Sequence, residues 1–156
     1  MPDTVGPPGW LPKDEYDAIF SRVARLCVEV VIVAPDRGVL LLRRDIPPNV
    51  GAWHIPGGTV LFGERVVDAV ARVADDELGL DVVAGELLGY IEYPSHYTNG
   101  LDSPVGLAFM TAVVGGPPGP EHLPGGCAWF PRLPAGLYAE QREFLAARLG
   151  LPVDRR

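Results

Sequence analysis

The stretch Pro56-Gly57-Gly58-Thr59-Val60-Leu61-Phe62-Gly63-Glu64, continuing through Arg72 to Asp75-Asp76-Glu77-Leu78-Gly79-Leu80, constrains this chain more than any other. It reads as a glycine turn feeding an acid-tipped helix from about Glu64 to Leu78, with Gly79 as its stop. At helical periodicity Val66, Val67, Val70, Ala71, Val73, Ala74 and Leu78 share one broad apolar face, and Glu77 falls inside it. An ionised carboxylate among apolar groups is costly unless a cation or hydrogen-bond donors meet it, so a bound metal is a natural partner for Glu77.

The 156 residues, 47% of them apolar, suit one folded domain over 12–150, flanked by a flexible arm at 1–11 and a frayed tail at 151–156. Thirteen basic against twenty acidic residues give a net charge of -7. That balance opposes binding to a nucleic-acid polymer or an anionic membrane, yet admits a phosphorylated small molecule where arginines and a divalent cation offset the repulsion. Cys27 and Cys127 are too few and too far apart for a thiolate metal site, and read as reduced thiols of a cytoplasmic protein. The Pro- and Gly-rich start lacks the order of a signal peptide, and the longest apolar run, near Val30 to Ala34, is too short to span a bilayer.

Along the chain, Pro12 with Asp14-Glu15 predicts a helix to about Val23, with Trp10 and Phe20 as its anchors. Leu26 to Val33 predicts a buried strand, and Val39 to Arg44 its hairpin partner across Pro35-Asp36-Arg37-Gly38, in a register that sets Glu29 opposite Arg44. That pair reads either as a salt bridge holding the hairpin or as equipment for steering a phosphorylated substrate. Trp53-His54-Ile55 predicts a short strand, with His54 as an ordinary strand side chain. Asp81 to Tyr93 and Val105 to Val114 predict longer strands; the tip Ser95 to Gly100 between them could cover a ligand, with Tyr97 as a stacking group, or be a solvated turn. Glu121-His122 interrupts a Pro- and Gly-rich loop, Ala128 to Phe130 predicts a strand, and Tyr138 to Leu149 a closing helix.

The opening stretch resembles the box of the Nudix hydrolase family, G-x5-E-x7-R-E-U-x-E-E-x-G-U, where U is aliphatic. Gly58, Glu64, Arg72, Asp76 (Asp for Glu), Glu77, Gly79 and Leu80 fit it, whereas Val73 replaces the Glu after the Arg and Ala74 replaces an aliphatic. Arg72 to Leu80 is similar to the altered box of the GDP-mannose mannosyl hydrolase branch, and the likeness extends over roughly Leu11 to Phe130. The resemblance implies an α/β fold, an α/β/α sandwich with a mixed sheet around a central box helix, and by family habit a homodimer. It implies Mg²⁺, or Mn²⁺ in its place, held by Gly57 carbonyl, Glu77 and Glu121, with Asp76 as a further carboxylate. Arg72 would meet the diphosphate, His122 would act as general base, and Glu29 and Arg44 would assist the leaving group. Thr59 stands where that branch carries an Arg.

The function expected on this basis is hydrolysis of a nucleotide sugar, with water attacking the anomeric carbon. Two alternatives stand beside it: ordinary Nudix hydrolysis with attack at phosphorus, and a Nudix-fold ligand-binding module without turnover.

Overall fold

The computed structural model describes residues 10–47, 49–98, 100 and 102–155; positions 1–9 of the expected arm, Asn99 of the tip and Arg156 of the tail lie outside the described residues. In chain order the elements are α1 (Lys13–Phe20), β1 (Arg25–Val31), β2 (Val33–Ala34), β3 (Gly38–Arg43), β4 (Trp53–His54), β5 (Gly57–Thr59), α2 (Val66–Leu78), β6 (Val82–Glu92), α3 (Pro94–Thr98), β7 (Pro104–Val113), β8 (Cys127–Phe130) and α4 (Ala139–Leu149). One sheet runs β5-β1-β7-β6 and is mixed, because β1 pairs antiparallel with β5 but parallel with β7. The other is built on β3, which pairs antiparallel with β2, β4 and β8.

Strand periodicity sorts β1 onto two cores. Val28, Val30 and the following Ile32 face Ala69, Val70, Val73 and Leu78 of α2. Val31 faces the opposite way, toward Ile55, Tyr93 and Leu145 of α4. Helices thus cover both faces, which is the expected α/β/α sandwich. The face α2 buries is narrower than its apolar residues suggest: Val67 and Ala71 point outward, whereas Ala69 is fully buried. Gly79 ends α2 at φ 64°, and its N–H and that of Leu80 close onto the Asp75 and Ala74 carbonyls. The helix starts at Val66 because Glu64 is engaged in closing the preceding turn.

The expected hairpin is the main correction. Both edges of β1 are taken by β5 and β7, so β3 cannot lie beside it. Of the segment expected to pair with it, β3 takes up only the short continuation β2, with Val33 opposite Val39 and Ala34 opposite Gly38. Glu29 therefore sits opposite Gly57 and Ala108 in the first sheet, and the anticipated Glu29–Arg44 pairing across a hairpin does not form. Gly38 is at φ 89°, and a Cβ there would run into the Phe130 carbonyl, so this turn requires glycine. At the other end of the chain, the expected frayed segment is held: Val153 bridges Leu133, the Leu133 N–H donates to Pro152, and the Asp154 N–H donates to Leu133.

Candidate active site

The glycine turn is closed by one side-chain clamp. Arg72 donates from Nε to Glu64 Oε2 at 2.8 Å and from Nη2 to Glu64 Oε1 at 3.0 Å, and Nη2 also donates to the Thr59 carbonyl at 2.8 Å. Glu64 Oε1 further accepts the Leu61 N–H at 3.0 Å. The Arg72 hydrogen bond holds the Glu64 carboxyl below its ordinary range. A planar guanidinium can make this two-pronged contact and reach a carbonyl as well, and a lysine cannot. Arg72, expected at the diphosphate, is thus committed to the shape of the turn. Its Nη1 lies 3.6 Å from Asp76 Oδ2.

Beneath the turn lies Glu77, whose Oε2 is buried without a hydrogen-bond partner. Burial first, and Asp76 in addition, push its pKa up to about 7 against the pull of the Gly57 backbone N–H. A methyl group at Gly57 would collide with the Glu29 carboxylate and the Val28 carbonyl, and one at Gly58 would crowd Val73 Cγ2 at 3.1 Å. Val73, which stands where the resembled box carries a Glu, therefore packs against Gly58.

A cavity of about 840 Å³ opens beside this helix end, and its lining includes Arg43, Arg44, His54, Asp76, Glu77 and Gly126. His54 comes from β4, opposite Leu42. Its Nδ1 lies 2.9 Å from the Ile55 carbonyl. A carbonyl only accepts, so Nδ1 carries the proton and Nε2 is left as an acceptor. Burial, then the Arg44 charge, lower the His54 pKa despite that hydrogen bond, so the ring is neutral at neutral pH. Sequence reasoning passed over His54 and Arg43; the available signal was that β4 runs directly into the glycine turn, carrying its side chains to the site.

Of the other expected residues, Glu29 lies behind the turn with its carboxylate against Gly57, Arg44 is on the cavity wall, and the rest are at the surface. Glu29 is fully enclosed on the α4 side: Tyr93 Oη donates to its Oε1 at 2.6 Å, Gln141 Nε2 donates to Tyr93 Oη at 2.9 Å, and the Ile55 N–H fixes Gln141 at 2.7 Å. Burial pushes the Glu29 carboxyl up to about 8. Arg44 lines the cavity and donates to the Pro47 carbonyl at 3.0 Å. Glu121 and His122 stand on an exposed 3₁₀ turn, 69% and 73% accessible and 3.5 Å from each other, although their loop returns to the cavity wall at Gly125-Gly126. Tyr97 is half exposed on α3.

The orphaned Glu77 oxygen is a place for a cation. Among the described residues no group of three or more His, Cys, Asp or Glu side chains converges. Glu77 and Asp76, which line the same cavity, are the carboxylates that could hold a hard ion such as Mg²⁺, which takes one or two protein carboxylates and keeps water and phosphate oxygens as its other ligands.

A mixed-sheet domain with a clamped glycine turn, a buried helix-end carboxylate and arginines around one cavity defines a class suited to holding a phosphate-bearing ligand with a cation. The NUDIX domain model matches residues 23–147, and the chain belongs to that family. Among curated relatives it is 43% identical over 95 residues to the low-salt glycan biosynthesis protein Agl8 of Haloferax volcanii, covering 60% of each chain. It is 34% identical over 85 residues to an ADP-ribose pyrophosphatase of Methanocaldococcus jannaschii, covering 54% of this chain and 49% of that protein. The matches thus span about half to three fifths of those relatives. Among solved structures, a MutT NUDIX hydrolase from Burkholderia pseudomallei superposes with TM-score 0.63 at 29% identity, covering 79% of this chain and 96% of that one.

Proposed function

We propose that this chain hydrolyses a nucleoside diphosphate linked to a second small group, with water attacking phosphorus. The observation that carries the proposal is the cavity lined by Glu77, whose Oε2 is without a partner, Asp76, the arginine pair Arg43-Arg44 and a neutral His54. A pyrophosphatase among the relatives supports attack at phosphorus. So does the position of Glu121-His122, expected to take part in attack at carbon, on an exposed turn.

In this reading Glu77 and Asp76 would hold Mg²⁺ or Mn²⁺, which when bound supplies positive charge to the diphosphate. Arg43 and Arg44 add charge from the other wall, and the Arg72–Glu64 clamp keeps the turn in place. His54 Nε2 takes the proton from water as its oxygen bonds to phosphorus. The phosphoanhydride P–O bond breaks, and its electron pair leaves with the departing phosphate ester.

A second reading, attack at the anomeric carbon of a nucleotide sugar, is favoured by Val73 in the altered box and by the relative named for glycan biosynthesis. Hydrolysis in ¹⁸O water decides between them. Label in a phosphate product supports attack at phosphorus; label in the released sugar overturns it and leaves the second reading.

A further inference from the structure

The hollow around Glu77 continues into one with different walls. A cavity of about 700 Å³ is lined by Trp10, Tyr16, Phe20, Ile46, His96 and Arg44 among others. Arg44 and Ile46 also line the cavity that holds Glu77 and His54. A smaller recess of about 300 Å³ sets Trp10 and Tyr16 across from Gly57, Gly58, Arg72 and Glu77. The same two aromatic rings therefore border both the apolar hollow and the glycine turn.

Aromatic side chains on a helix ordinarily anchor it to the core, but α1 has no buried residue. Trp10 is 40% accessible. Tyr16 is nevertheless fixed: its ring meets Phe20 edge-on at 4.8 Å, the Arg25 guanidinium lies 5.7 Å from its centroid, and its hydroxyl donates to Asp102 at 3.4 Å. Arg25 donates to Asp102 Oδ2 at 2.5 Å and to Thr59 Oγ1 at 2.8 Å, which ties this wall to the glycine turn. Trp10 stands 6.4 Å from Tyr16, tilted by 38°. The result is a preorganised aromatic wall, of a size for small-molecule recognition, beside arginines.

We propose that Trp10 and Tyr16 form the nucleobase subsite, with the base stacked on this wall and the diphosphate directed past Arg44 toward Glu77. The inference rests on the nucleoside diphosphate reading above, and binding separates the two. Wild type, Trp10→Ala, Trp10→Phe and Trp10→Ala/Tyr16→Ala are titrated by calorimetry with ADP, GDP, CDP and UDP in Mg²⁺, and with inorganic pyrophosphate as the probe without a base. Loss of a stacking partner predicts roughly 10- to 100-fold weaker nucleotide binding in Trp10→Ala, near-recovery in Trp10→Phe, and unchanged pyrophosphate binding.

The inference is overturned if wild type binds none of the four nucleotides, if both Ala variants bind them as wild type does, or if pyrophosphate binding falls in parallel. Turnover is scored separately on nucleotide-linked substrates. Hydrolysis that is indifferent to Trp10 leaves the proposed function standing without the subsite. Trp10-dependent nucleotide binding without hydrolysis leaves the subsite standing without the function.

Discussion

At the scale of single residues, three titratable groups decide how the site responds to pH. Glu77, with a pKa pushed up to about 7, holds a proton at acidic pH that a bound cation must displace. Mg²⁺ affinity should therefore rise with pH up to about 7 and then level off, with proton release seen calorimetrically at about pH 6 and little at about pH 8. A hundredfold excess over Kd should stabilise the fold by about 2.7 kcal/mol, a melting shift of roughly 5–10 °C, and Glu77→Gln should abolish both effects. In the proposed role His54 acts only when neutral, and its pKa is lowered, so activity should fall on the acid side below its ordinary range. At Mg²⁺ concentrations that saturate the site across the pH range, that acid limb should vanish in His54→Gln along with about 100-fold of kcat; a retained limb assigns the base elsewhere. Glu29 is raised to about 8 in the fold against an unperturbed 4.5. Between those values the folded state binds more protons than the unfolded, so its contribution to stability falls as pH rises and is least above about 8. Glu29→Gln keeps the shape and the Tyr93 contact; denaturant melts of metal-free protein should show it more stable than wild type at about pH 8.5 and equal to it below about pH 4.5.

At the scale of elements, the Arg72–Glu64 clamp joins the middle of α2 to the end of the glycine turn. Arg72→Lys cannot span both carboxylate oxygens and the Thr59 carbonyl. It should lose about 1–3 kcal/mol of stability and about 100-fold in kcat/KM, whereas Glu64→Gln on that background should cost little more. Full additivity of the two changes, measured by melting, would remove the clamp from the account. The turn and the helix that follows it were legible in the sequence because they form one local pattern, although Arg72 was expected at the diphosphate and not on Glu64. Long-range pairing was not. The hairpin expectation used only neighbouring segments, and nothing in Leu26 to Val33 says that β5 and β7 occupy both its edges. The error in placing Glu29 followed directly from that. His54 and Trp10 were read as packing groups, and Tyr16 was passed over, for a related reason: each reads as ordinary strand or helix composition until tertiary packing sets it beside Glu77. Glu121-His122 is the reverse case, a suggestive pair that the fold sets on an exposed turn.

At the scale of the whole molecule, a net charge of -7 surrounds a site proposed to take an anion. Long-range repulsion should slow encounter at low salt, and screening should relieve it, so kcat/KM at fixed free Mg²⁺ should rise between about 0.01 and 0.15 M ionic strength. A steady fall over that range would mean that the local arginines outweigh the global charge. The fold also divides its labour along the chain. The family match begins at residue 23, whereas Trp10, Tyr16 and Phe20 precede it. An expression boundary drawn at the domain match would retain the sheet, the clamp and Glu77 while discarding the aromatic wall. Swapping only the first two dozen residues between relatives should then be the economical way to exchange selectivity without disturbing the chemistry.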